Sequence, residues 1–426
     1  MSDIIEKNDA PEPTEASQVP AFGGPAAQAA AVEVPAYMPR RTIGQLLRGE
    51  LGFVPVLLTL LVIMVYFQIV TGGIFLEPEN ISNLAGQIAY VGVLGLGVIM
   101  VLLLGEIDLS IASVAVLCSV IMAVLSERAG APAWVAILAA LLAGAVIGLI
   151  NGFFVAVLRV PSFIVTLAGS IGYAGLLLHM LNGQATLIIN NSFIVAIAGS
   201  SQSFLPNALG VGLPAIAVLL YAVGLIVSYV RRRRAGLRTS SLLWLVARIV
   251  IAAALVFGAV AVLQSYVGVP YSTAIFFGLI ALFWLILTKT PFGRHIYAVG
   301  GSSEAARRAG INVVGIRIAA FTLCSTLAAL GGIILASRGT AVASAVDSTL
   351  LLNAIAAAVI GGVSLFGGRG SAWAIVLGVL IIQSLVNGLA LLNQGTDVSE
   401  MVEGVVLVIA VTADALVRRA QMRTGR

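Results

Sequence analysis

The sequence predicts an all-α integral membrane protein, a polytopic bundle of about twelve transmembrane helices with both termini in the cytoplasm. Composition is the first of three observations behind this. The chain is 60% hydrophobic and 10% charged, with a mean hydropathy of +1.09, whereas soluble domains carry about 25% charged residues. Second, the apolar residues gather into runs near the roughly 20 residues needed to cross a hydrocarbon core of about 30 Å. Third, arginine and lysine cluster in the connections that would share one face.

In order, the runs are 53–70, 84–104, 109–125, 133–158, 163–181, 213–230, 242–263, 271–287, 316–336, 350–365, 372–392 and 401–416. No alternating strand pattern interrupts them, and a backbone in lipid must satisfy its own polar groups, so each run is expected to be helical. Glycine, 46 residues in all, recurs inside the runs, as at Gly92, Gly95 and Gly97 or Gly144 and Gly148. Small residues let helices approach closely in lipid. With the N-terminus inside, all but Arg128, Arg338 and Arg248 of the 23 Lys and Arg residues fall on the cytoplasmic face or its edge. Arg248 lies within a run near its inner end, where its side chain can snorkel. Residues 1–45, rich in Ala, Pro and Glu, are expected to be a disordered cytoplasmic tail ahead of a permease domain at 46–426. A first apolar run beginning only after residue 50 is too late and too long for a cleaved signal peptide.

The net charge of +5 is accounted for by these flanks and does not imply nucleic-acid binding. The run Arg231, Arg232, Arg233, Arg234 reads as a stop after a span, with a membrane-lipid headgroup contact as its functional alternative. The lysines are Lys7 and Lys289, neither preceded by glycine, so the chain lacks a phosphate-binding P-loop of its own. Cys118 and Cys324 lie inside apolar runs and read as small packing residues. His179 and His295 are too far apart in sequence to suggest a metal site, and no metal, cofactor or catalytic site is expected.

Ionisable groups are expensive inside a membrane, which singles out Glu106 and Asp108 in the EIDLS segment. This polar break admits two readings. It lines a passage, with Glu106, Asp108 and Ser110 meeting a hydroxylated solute or forming a gate. Alternatively, it sits at the membrane edge, where Asp108 caps the next helix by accepting a backbone N–H. Asn151, Thr166, Asn353, Gln383, Ser384 and Asn387 are further polar groups within runs. Singly each can hydrogen-bond a neighbouring helix, and together they can wet a path for an uncharged solute. A secondary transporter driven by an ion gradient and titrating at Asp108 or Glu106 is the alternative function. A membrane enzyme would need a nucleophile, base and orienting group, and these do not converge by spacing.

A polar island at 288–314 interrupts the apolar runs and is expected to be a cytoplasmic loop. Within it Ser302 or Ser303 can cap a short helix over Glu304, Ala305, Ala306, Arg307, Arg308 and Ala309, with Gly310 ending it before Ile311. So short a helix is unstable alone. Its arginines can rest on lipid headgroups, or its small residues can seat in a cleft on a cytoplasmic protein. The outer connection at 182–212 is either a surface for an external partner or a spacer for the spans that follow.

EIDLS at 106–110, VPSFIVTLAG at 160–169, FGRHIYAVGGSSEAARRAGINV at 292–313 and AIAAAVIGGVSLFGGRGS at 354–371 closely resemble permease subunits of bacterial ABC sugar importers, in the ribose, arabinose and xylose branch. The resemblance runs in order from about residue 50 to the C-terminus. The proline-rich tail departs from the pattern, as does a pair of spans across 213–263 that is similar to what xylose-type permeases contain. The resemblance implies a monosaccharide importer in the bacterial inner membrane, with a pentose such as xylose as its cargo. Two permease copies would work with a cytoplasmic tandem-domain ABC ATPase that uses ATP and magnesium, and with an external sugar-binding protein. By the same resemblance, 304–311 contacts the ATPase.

Overall fold

The computed structural model describes residues 54–423, except 201, 238 and 240. The expected tail at 1–45, with Lys7, Arg40, Arg41 and Arg48, lies outside the described residues. Each apolar run contains a helix: α1 (Val54–Val70), α2 (Pro78–Leu102), α3 (Ile111–Ala123, continued by a π-helical turn Val124–Arg128), α4 (Ala133–Ala156) and α5 (Ser162–Leu181). After a strand β1 (Thr186–Ile188) and a single turn α6 (Ser192–Val195) come α7 (Asn207–Arg234), α8 (Leu242–Gln264) and α9 (Tyr271–Lys289). The polar island folds as α10 (Pro291–Gly301) and α11 (Ser303–Arg308). Then follow α12 (Val313–Gly339), β2 (Ala341–Ala343), α13 (Ser348–Ile360), α14 (Ala374–Leu391) and α15 (Thr396–Arg423). Among the described residues, nine helices are long and apolar enough to cross a membrane, counting α3 with its π-helical turn, and α1 and α13 are shorter apolar helices.

The architecture is a helical bundle around α2, which is buried without a break from Val91 to Leu102. Its glycines explain how one helix touches so many neighbours. A methyl group at Gly92 would meet the Phe276 ring of α9, one at Gly95 would meet Ile375 of α14, and one at Gly97 would meet the Cys324 carbonyl of α12. The spacing is irregular because the helix is surrounded, so no single face carries the contacts. On α4, by contrast, Ala136, Ala140, Gly144, Gly148 and Gly152 recur every four residues on one buried stripe. There α12 lies so close that a Cβ at Gly148 would be 2.4 Å from the Phe321 carbonyl oxygen. Lipid tails solvate leucine as well as a neighbouring helix does, so close small-residue seams of this kind hold membrane helices together.

The sequence reading did not foresee β1 and β2, which pair antiparallel as Thr186↔Ala343, Leu187↔Val342 and Ile188↔Ala341. At three residues each they carry no alternation for a pattern to detect. They mark the end of the bundle where α12 stops, opposite α10 and α11 where it starts, and the 27 residues of α12 separate the two ends by about 40 Å. The connection around α6 is docked against that end rather than hanging free. Ser337 of α12 donates its hydroxyl to the Ile194 carbonyl at 2.7 Å and accepts the Ala198 N–H at 2.9 Å.

Candidate functional site

At the opposite end, α10 and α11 form a hairpin whose caps follow from local sequence. The Thr290 hydroxyl accepts the Gly293 N–H at the start of α10, where Pro291 occupies the first turn. The Ser302 hydroxyl accepts the Ala305 N–H at 3.2 Å and so starts α11. Gly310, in the left-handed region at φ +82, ends it. Its N–H donates to the Arg307 carbonyl and the Ile311 N–H donates to the Ala306 carbonyl, the paired bonds of a Schellman C-cap. Glu304 in the first turn is joined to Arg308 at 3.1 Å and lies 4.0 Å from Arg307; these pairs are exposed and worth little to stability.

The small residues of α11 divide between two faces. Ala306 is buried, 4% exposed, against the bundle, while Ala305, Ala309, Arg307 and Arg308 are exposed. The face open to a partner is therefore Ala305, Ala309 and the basic pair, and Ala306 is its anchor to the bundle.

Three backbone segments meet above this hairpin. The Gly368 N–H donates to the Leu103 carbonyl at 2.9 Å. A Cβ at Gly300 would lie 1.8 Å from that same carbonyl oxygen, and one at Gly367 would lie 2.8 Å from the Gly300 oxygen. Gly105, Gly367 and Gly368 all have positive φ, so glycine serves both the turn and the close approach. The Tyr297 hydroxyl of α10 donates to the Gly370 carbonyl at 2.8 Å. Burial pushes its phenol up from the ordinary tyrosine value, so the group stays protonated and keeps donating. The hairpin is thus clasped to the α2–α3 break and to the loop between α13 and α14.

That break is the EIDLS segment, and the sequence-derived polar residues sort themselves around it. Glu106 is ion-paired with Arg317, in the second turn of α12, at 3.3 Å and mostly out of solvent. Asp108, 4% exposed, accepts the Ser110 N–H at 2.8 Å and the Ser110 hydroxyl at 2.6 Å just before α3 begins. The Cys324 thiol of α12 points at its other oxygen, 3.7 Å away. Asn151 of α4 donates to Ser110 Oγ at 3.2 Å and accepts the Tyr173 hydroxyl of α5 at 2.8 Å. Hydroxyls of α5 hold the backbone of the break: Ser162 accepts the Ile107 N–H and Thr166 accepts the Leu109 N–H. Asp108, Ser110 and Asn151 therefore form a hydrogen-bonded chain, while Glu106 ties the same break to α12 and Thr166 ties it to α5.

Asn353, Gln383 and Asn387 lie elsewhere, on α13 and α14. Asn387 makes a reciprocal amide pair with Asn80 of α2, at 2.8 and 3.0 Å. Gln383 and Ser384 are 2% and 1% exposed, and Gln383 Oε1 and Ser384 Oγ have no protein partner. Ser325 Oγ and one carboxylate oxygen of Glu403 on α15 are in the same condition. Buried polar atoms left unpaired are costly. The sequence reading passed over Glu403 and Tyr173 and took Cys324 as a packing residue only. Glu403 was visible as a carboxylate within an apolar run, whereas the other two depend on contacts between distant helices.

Comparison with known proteins places the chain in a family. The family described as "Branched-chain amino acid transport system / permease component" matches residues 80–411. The chain is 37% identical over 360 residues to the xylose transport system permease protein XylH of Haemophilus influenzae, covering 84% of this chain and 94% of that one. It is 36% identical to XylH of Escherichia coli K12, with 84% and 91% covered. To the ribose import permease protein RbsC of Bacillus subtilis it is 31% identical, with 80% and 86% covered. No solved structure matches.

Proposed function

The chain belongs to the branched-chain amino acid transport system / permease component family, as a sugar ABC transporter permease most like the xylose type, and from that premise we propose that it carries a pentose such as xylose into the cell by ATP-driven alternating access. In this reading twelve helices cross the bacterial inner membrane with both termini in the cytoplasm. Two copies of the chain enclose the path. A tandem-domain ATPase using ATP and magnesium grips Glu304, Ala305, Arg307, Arg308, Ala309, Gly310 and Ile311 from below, and an external binding protein delivers the sugar. The chain itself performs no covalent chemistry.

The observation that carries the reading is the clasp between Leu103, Gly300 and Gly368. A ligand or motor shifts an equilibrium only through contacts that differ between the two states. A partner that moves α11 would act on the rigid α10 hairpin, and through it on the carbonyl that ends α2 and on the loop entering α14. The polar groups Glu106, Asp108, Ser110, Asn151 and Thr166 sit where that movement arrives. The unpaired groups of Gln383, Ser384 and Glu403, with Asn353, are the proposed contacts of the passing sugar.

Reconstitution into liposomes tests this. Xylose uptake is expected only when the cognate ATPase, ATP and the loaded binding protein accompany the chain. Accumulation by the chain alone on an ion gradient would overturn the ATP-driven reading in favour of a secondary transporter. Uptake of a different sugar by the full complex would remove only the choice of cargo.

A further inference from the structure

The α7–α8 hairpin is held at one end and open at the other. Near β1 and β2, Leu205, Val260, Leu263 and Val269 form a small apolar cluster with Ile81 and Ala85 of α2 and with Tyr271 and Ala274 of α9. At the far end, α7 runs out into Arg231, Arg232, Arg233 and Arg234. A cleft of about 310 Å³ lies there between the two helices, with Leu225 and Leu245 as its apolar lining. Its polar lining is Ser228, Tyr229, Arg232, Thr239 and Arg248. Arg248 is held over the Trp244 ring, 5.2 Å from its centroid, which fixes its direction.

The charge in this hairpin has no protein counterpart within reach along the chain. Between Glu127 and Glu304 the sequence contains no Asp or Glu. Five arginines, at 231–234 and 248, therefore stand in a hairpin whose sequence holds no carboxylate. Bias toward one membrane face explains a basic flank, but not two guanidinium groups on facing helices sharing one pocket with three hydroxyls. Arg248 lies six residues into α8, about 9 Å along the helix from its start.

We infer that this cleft binds the phosphate headgroup of an anionic glycerophospholipid, closing the open end of the hairpin with a lipid. Guanidinium forks match phosphate oxygens in pairs. The hydroxyls of Tyr229, Ser228 and Thr239 can serve the remaining phosphate and glycerol oxygens. Acyl chains would then follow the exposed apolar surface of Leu219 and Leu220 on α7 and of Leu255 on α8. The inference needs only that the chain is a membrane protein, and it stands whichever sugar is carried.

Native mass spectrometry of the purified full chain, titrated with phosphatidylglycerol or phosphatidylcholine, tests it. Phosphatidylglycerol is expected to be retained over phosphatidylcholine and to bind about thirtyfold more weakly to R232A/R248A, which loses both guanidinium forks of the cleft. R233A/R234A removes the same charge outside the cleft and should change binding less than about threefold, because a purified chain taking up single lipids faces no charged leaflet. Equal loss in both double variants would reduce the effect to overall charge and overturn the site. So would unchanged binding in R232A/R248A. Displacement of the lipid by millimolar inorganic phosphate would mean a free-phosphate site and overturn the lipid assignment. R232K/R248K, which keeps the charge and loses the forks, carries the test if R232A/R248A fails to fold. It should bind about tenfold more weakly, and wild-type binding by it would sink the proposal.

Discussion

Gly300 is the residue on which the clasp depends most directly. Its missing side chain lets the Leu103 carbonyl come within 1.8 Å of where a Cβ would stand, whereas Gly301, its neighbour, has nothing within 4 Å. Gly300→Ala should therefore force α2 and α10 apart and lower the thermal midpoint of the purified chain, by an overpacking cost of about 1–3 kcal/mol. Gly301→Ala should leave the midpoint within error. Equal behaviour of the two variants would show that the close approach is not a constraint. Sequence reading saw the GG pairs at 300–301 and 367–368 inside quoted motifs but could not say which glycine matters. The partner of Gly300 is some two hundred residues away, and a close approach leaves no local pattern. Asp108 shows the complementary case. The sequence offered it as a possible cap of the next helix; it accepts the Ser110 N–H one position ahead of that helix, and its contacts to α12 and, through Ser110 and Asn151, to α5 were not legible.

At the scale of elements, α11 was the most legible piece of the molecule. A serine cap, an acidic first turn, a basic last turn and a glycine stop all lie within nine residues, and each acts over one helical turn. Which side of the helix faces outward was not legible, because six residues carry no apolar periodicity long enough to read. The structure turns Ala306 inward and Ala305 outward, and the two positions should respond differently to charge. Ala305→Asp is expected to leave the thermal midpoint unchanged while cutting ATPase stimulation by the loaded binding protein at least about tenfold. Ala306→Asp should instead destabilise the chain itself, since its carboxylate would be buried without a partner. Full stimulation in Ala305→Asp would remove α11 from the interface with the ATPase. The apolar spans were legible for a different reason: their length is set by the bilayer and not by any partner.

Across the whole molecule, the pairing of Glu106 with Arg317 ties the α2–α3 break to α12, the helix that leaves the hairpin and runs to the β1–β2 end. If movement of α10 and α11 is delivered to the transport path as a unit, this ion pair is one of the connections that deliver it, alongside the glycine clasp. Glu106→Gln keeps the shape and removes the charge, so insertion and basal ATP hydrolysis by the assembled complex should survive. Sugar uptake per ATP hydrolysed should fall about tenfold, the size of a modest coupling free energy. The double exchange E106R/R317E restores opposite charges across the same gap and should recover part of the loss, an outcome that general destabilisation would not produce. Uptake per ATP equal to that of the natural chain in Glu106→Gln would remove the ion pair from the route and leave it serving only to hold the break in place.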